Sequence, residues 1–208
     1  MPSPAPLQPG TYYHLYNRGT NHERIFLEDE NYRYFLRLYK QYVLPVAETF
    51  AYRLLPNHFH LLVRTRTEEE IEHLERLTRS EGVRRSTASQ AFTNLFSTYT
   101  MAFNKRYGRT GSLFEHPFHR IVVDHDAYFT RLIAYIHRNP SRHGFCDDFR
   151  RWKYSSYAAV LSSGHTHVAC EQVLAWFGGV ERYRTFHAQF VDDDVVARLA
   201  PDDASTSA

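Results

Sequence analysis

The feature that most constrains this chain is the way its hydrophobic period switches between two residues and about 3.6 residues along its length. Residues 11–16, TYYHLY, are aromatic-rich and read as a strand, closed by Asn17-Arg18-Gly19. The run EDENYRYFLRLYKQYV then places Tyr32, Phe35, Leu36, Tyr39 and Val43 on one helical face, with acids in the first turn where the helix dipole favours them. Beyond Pro45, TFAYRLL and HFHLLVRT flank a Pro56-Asn57 break and read as an antiparallel hairpin. Residues 68–79 predict a short charged helix, and GVRRSTAS after it a basic, polar loop. A second long helix follows over about 88–107, with Phe92, Leu95, Phe96, Tyr99 and Phe103 in helical register. FHRIVV is a further strand. Asp124 is placed to cap a third helix, which turns Tyr128, Phe129, Leu132, Ile133 and Ile136 inward and stops at Pro140.

The order strand, helix, strand, strand, helix, strand, helix predicts an α+β fold: an antiparallel sheet with helices packed on one face, in the ferredoxin-like neighbourhood of split βαβ folds. At 208 residues the chain suits one domain with an extension rather than two independent cores. Residues 1–10, with four prolines, and the small polar residues 200–208 are expected to be disordered. The main domain is then 11–165, and 166–199 a helical extension built on Val173, Leu174 and Phe177, then Tyr183, Phe186 and Phe190. No run of about 18 apolar residues and no charged-then-apolar leader is present, so a cytoplasmic protein is the expectation. Cys146 and Cys170 lie far apart without a CxxC pair, which argues against a disulfide framework or a cysteine-rich zinc module. A formal charge of +2 does not by itself mark a nucleic-acid binder. The sequence has no P-loop, GxGxxG after a strand, GxSxG elbow or HExxH, which removes the common ATP, NAD and hydrolase readings.

Thirteen histidines invite a search for spacing. His58 and His60 are two apart in a strand and so project from the same face, where two imidazoles can share one ion; the alternative is a pair on a solvated sheet face. Tyr135 and Asn139 are four apart at the end of the third helix, which puts a phenol and an amide a turn apart on one face, although Pro140 makes that geometry approximate. Positive charge alternates with aromatics at Arg84 and Arg85, at Lys105, Arg106 and Arg109 around Tyr107, at Arg120, and at Arg138 and Arg142. Such mixtures suit single-stranded nucleic acid, cations tracking phosphates while rings accept unstacked bases. A solvated basic face is the alternative for any one cluster.

Four stretches, together with EQVLAWFGGVERYRTF near the end, carry a resemblance: YYHLYNRGTNHERIFLEDENYRYFLRLY, LLPNHFHLLV, FNKRYGRTGSLFEHPFHRIVVDHDAYFTRLIAYIHRNPSRHG and WKYSSYAAVL. Together they cover most of residues 11–190, and the chain resembles the IS200-like single-tyrosine transposases, in particular their REP-associated tyrosine transposase branch. The resemblance implies an HUH endonuclease fold, with His58-Phe59-His60 as the metal motif. Tyr135 of YIHRNP falls on the nucleophile of the family's YIxxNP signature, and Asn139 on a third metal ligand. It further implies a divalent ion, Mg²⁺ or Mn²⁺, a 5′-phosphotyrosine intermediate on hairpin-containing single-stranded DNA, and, given sequence beyond the tyrosine, a monomer, with a dimer as the alternative. Relatives often carry lysine where this chain has His119, so a phosphate contact there would fall to Arg120. The competing readings are a non-catalytic single-stranded nucleic-acid-binding module on the same fold and a phosphoesterase that uses water at the histidine pair.

Overall fold

A computed structural model of the chain describes residues 5–78, 86–124 and 126–189. Four strands, β1 (Tyr12–Arg18), β2 (Ala47–Leu54), β3 (His58–Thr65) and β4 (His119–Val122), form one sheet in the order β2-β3-β1-β4, every neighbouring pair antiparallel. Helix α1 (Asp29–Tyr42) joins β1 to β2, and α2 (Glu68–Thr78) and α3 (Ala88–Tyr107) lie between β3 and β4. After β4 come α4 (Asp126–Arg142) and three shorter helices, α5 (Tyr157–Val160), α6 (Cys170–Phe177) and α7 (Val180–Gln189). The class and the split βαβ order are those the periodicity predicts. Among the described residues no helix is long and apolar enough to cross a membrane.

The central strands β1 and β3 are buried on both sides, and this settles where the helices go. Alternation sends Tyr13 and Leu15 of β1, with Phe59, Leu61 and Val63 of β3, to one face. There they pack against Phe35, Leu38 and Tyr39 of α1 and Phe92, Leu95, Phe96 and Tyr99 of α3. Burying one such side chain fully is worth about 1.5–3 kcal/mol. The other face is covered too: Phe50 and Leu62 meet Phe129, Leu132, Ile133 and Ile136 of α4, backed by Val173, Phe177 and Tyr183. The one-face expectation therefore holds for α1 and α3, while α4 and the C-terminal helices take the opposite face, because a strand apolar on both sides needs two covers.

Two boundaries differ from the sequence reading. Residues 5–10, expected to be disordered, are docked: Leu7 is buried, its N–H donates to Ser89 Oγ (2.9 Å), and Gly10 N–H donates to Thr65 O (3.0 Å). Leu7 supplies an apolar anchor among prolines that the composition masked. Helix α4 does not stop at Pro140 but runs through it to Arg142. A proline near a helix end forfeits only its own N–H bond, and His143 N–H still donates to Asn139 O (3.0 Å). The segment from 166 packs onto the main domain: Val168 bridges Thr49 of β2, and α6 and α7 share the α4 core. At the end of β1, Gly19 has an ordinary φ, but a Cβ there would lie 2.1 Å from Glu23 O, so close backbone approach is what requires glycine.

Candidate functional site

The face of the sheet under α4 carries side chains unlike those on the α1 and α3 side. His14 and Tyr16 of β1, Arg53 of β2, His58 and His60 of β3 and His119 of β4 all project there, since cross-strand partners share a face: Tyr16 opposes both His60 and His119, and Arg53 opposes His60. Their rings stack across the strands. His119 lies on Tyr16 at 4.8 Å and 8°, and Tyr16 on His60 at 5.5 Å and 12°. His14 and His60 join through Nε2 and Nδ1 at 2.8 Å. Burial, then the positive charge of Arg53, then His14 and His143, holds His60 well below the usual imidazole range, so it is a neutral ring at physiological pH.

The tautomer of His58 follows from its partners. Its Nδ1–H donates to Asn57 Oδ1 (2.8 Å) in the hairpin turn, leaving Nε2 with a lone pair that accepts from Arg53 Nη2 (3.0 Å). Leu55 N–H donates to His58 O (2.8 Å) and closes the turn that sets this register.

Helix α4 brings the other half of the site. The Tyr135 ring sits 5.9 Å from that of His60, edge to face at 83°, and is 1% exposed. Asn139 is buried one turn further along the helix. Because α4 continues through Pro140, Asn139 keeps helical geometry and Arg142 and His143 extend the same face. The Arg142 guanidinium lies over the Tyr135 ring (5.7 Å), and the His143 ring is 5.3 Å from that of His58. Burial, with Arg53 and Arg142 nearby, pushes His143 down to about 4.

The basic residues named from sequence do not gather here as a group. Arg138 donates to His187 O (2.6 Å) and stacks on Phe149, and among the described ones Arg142 lies over the tyrosine ring. Arg120 opposes Leu15 and so points to the other face of the sheet, over Phe118 (4.1 Å) and onto Ala5 O (2.9 Å). Arg106 pairs with Glu28 and Arg109 with Glu23, Arg106 and Lys105 in the last turn of α3 and Arg109 just beyond it. Arg84 and Arg85 fall outside the described residues.

Sequence reasoning missed His14, Tyr16, Arg53 and His143. His14 and Tyr16 alternate with core residues of β1, and Arg53 is a charge inside an apolar strand; both patterns were available. As for a cation, the donor chemistry fits one: two neutral imidazoles share a face, and a guanidinium already stands against the lone pair of His58. Among the described residues no group of three or more histidine, cysteine, aspartate and glutamate side chains is arranged to hold a metal.

No protein-family model and no curated protein matches the sequence. Among solved structures the chain is similar to a REP-associated tyrosine transposase bound to a REP hairpin, at 15% identity and a TM-score of 0.58, covering 79% of this chain and 87% of that one. The likeness is one of fold.

Proposed function

We propose that this protein is a single-stranded DNA endonuclease and strand transferase of the REP-associated tyrosine transposase type, with Tyr135 as nucleophile. The observation that carries the reading is the meeting of two elements far apart in sequence: a same-face histidine pair on β3 and a tyrosine on α4, 5.9 Å from His60 between ring centres. The solved structure of like fold is bound to a REP hairpin, and hairpin DNA with a single-stranded flank is the substrate proposed here.

In this reading the Tyr135 oxygen attacks phosphorus, the P–O3′ bond breaks, and the chain is left as a 5′-phosphotyrosine with a free 3′-hydroxyl. The phenol loses its proton as the new bond forms and the departing 3′ oxygen takes one up. A second 3′-hydroxyl reverses the step, so rejoining needs no ATP. A free phenol titrates near ~10 and is a weak nucleophile at neutral pH, so its surroundings must favour the oxyanion. His58, His60 and Asn139 are proposed to hold a divalent ion, Mg²⁺ or Mn²⁺, which supplies charge neutralisation at the scissile phosphate. Neutral His60 keeps a lone pair for that role because burial and Arg53 disfavour its protonation. Arg142, exposed above the Tyr135 ring, is positioned to hold the entering strand.

A second reading, a binding module without catalysis, is favoured by one observation: Tyr135 is almost wholly covered. Incubating the protein and its Tyr135→Phe variant with labelled hairpin DNA from the flanks of its own gene, with Mn²⁺ or EDTA, separates the two on denaturing gels. The proposal expects a metal-dependent covalent band from the parent and none from the variant, a loss on the order of 10⁴-fold or more. Binding without a covalent band favours the module. Cleavage that survives in the variant points to water as nucleophile.

A further inference from the structure

Arg53 has no exposed surface and stands at the centre of the candidate site. Burying a guanidinium costs far more than burying an apolar side chain of its size, so a chain keeps one inside only where partners hold it. Its position depends on a single irregularity in β2. Thr49 pairs with Val63 but Ala51 with Leu62, so β2 advances two residues for one of β3, a bulge at Phe50. In the register before the bulge, position 53 would oppose Phe59 and point into the apolar core beneath α1 and α3. The bulge turns Arg53 over to oppose His60, and its Nη2 then donates to His58 Nε2 at 3.0 Å.

That nitrogen is the one a metal ion would take. His58 Nδ1–H is committed to Asn57, leaving a single lone pair for which guanidinium and ion compete. We infer that Arg53 is a latch on the histidine pair: it occupies His58 Nε2 until a phosphate group draws it off, so that nucleic-acid binding and divalent-metal binding at this site are coupled through Arg53. The inference rests on the function proposed above. A phosphate is the chemistry suited to release the latch, because its oxygens accept the planar fork of guanidinium N–H donors in pairs. Linkage then makes the effect reciprocal: DNA tightens metal binding by the factor by which metal tightens DNA binding.

The test titrates Mn²⁺ by electron paramagnetic resonance into the Tyr135→Phe protein, with and without a hairpin oligodeoxynucleotide bearing a single-stranded flank, against a DNA-only blank. DNA is expected to tighten Mn²⁺ binding about tenfold. In Arg53→Met/Tyr135→Phe the DNA-free protein should already bind Mn²⁺ that tightly, and DNA should change it less than about twofold. Equal Mn²⁺ affinity with and without DNA in the parent, coupling that survives Arg53→Met, or no Mn²⁺ binding to either protein overturns the inference. If circular dichroism shows that Arg53→Met does not fold, the ¹⁵N shift of His58 Nε2 in the Tyr135→Phe protein reports the same event. Loss of the Arg53 bond on adding Mg²⁺ and DNA is expected, and an unchanged shift overturns the latch. None of these readouts needs the tyrosine oxygen, so failure of the covalent-band experiment and failure of the latch are told apart.

Discussion

The two faces of the sheet are built from the same strands, one residue out of phase, and could hardly differ more. Under α1 and α3, β1 and β3 present Tyr13, Leu15, Phe59, Leu61 and Val63 to an aromatic and aliphatic core. Under α4 the intervening residues His14, Tyr16, His58 and His60, joined by Arg53, form a polar layer of stacked rings and hydrogen bonds. A strand covered on both sides can assign its stability to one face and leave the other to the proposed site, and the division is as fine as a single position: Phe59 faces the core and His58 and His60 the candidate site.

The division breaks first, and most visibly, at adjacent residues. Phe59→Ala removes a ring packed against Phe35 and Phe96 and is expected to cost about 3–5 kcal/mol in urea unfolding, while covalent-band formation persists at low temperature. His60→Ala should cost less, about 1–3 kcal/mol for the severed bond to His14, and should abolish the covalent band at every temperature. Equal destabilisation by the two would show that the polar layer is structural.

Acid should also tell the faces apart. Behind α4, His187 Nδ1–H donates to Tyr183 O (2.8 Å), so its Nε2 accepts from His137 Nδ1–H (2.9 Å), while His137 Nε2 accepts from Ser156 Oγ (2.7 Å). Burial holds His187 at about 4 and sends His137 the same way, so both are neutral in the fold. With folded values depressed, the unfolded chain binds protons first as pH falls below the ordinary histidine range. Stability is therefore full above about 6.5 and declines towards 4, by on the order of 2 kcal/mol between pH 7 and pH 5 from His187 alone. Urea unfolding at the two pH values checks this, and His187→Gln should shrink the difference. On the other face Tyr39 and Tyr99 are pushed up by burial and do not titrate in this window. An equal acid loss in the His187→Gln protein would place the titrating groups elsewhere.

How much of this was legible in the sequence follows the same division. The two core helices and the hairpin were readable because α1, α3, β2 and β3 repeat apolar residues at the period of their own backbone. His58 and His60 were readable as a same-face pair for the same reason. The second cover was not, because the polar residues of β1 and β3 on that face look like a solvated surface until α4 is laid over them. Arg53 was hidden more deeply: its face depends on the bulge at Phe50, and a one-residue bulge leaves no periodic signature in an eight-residue strand. Pro140 misled in the opposite direction, since proline statistics describe helix interiors and this one lies in the last turn of a buried helix.

The smallest expected effect concerns charge that is near the site against charge that merely surrounds the fold. Arg142 is exposed and lies over Tyr135, whereas Lys105 and Arg106 are exposed in the last turn of α3, on the far side of the sheet, and Arg106 already pairs with Glu28. If a single strand enters over α4, each phosphate contact contributes about 0.7 to the slope of log affinity against log salt. Arg142→Ala should then weaken single-strand binding about three- to tenfold at low salt and lower the slope by about that amount, while Lys105→Ala changes affinity less than about twofold. Fluorescence anisotropy across a salt series measures both. If Lys105→Ala proves the more damaging, the strand tracks the α3 side of the molecule, and the face with the proposed site would have to be reached from the opposite cover.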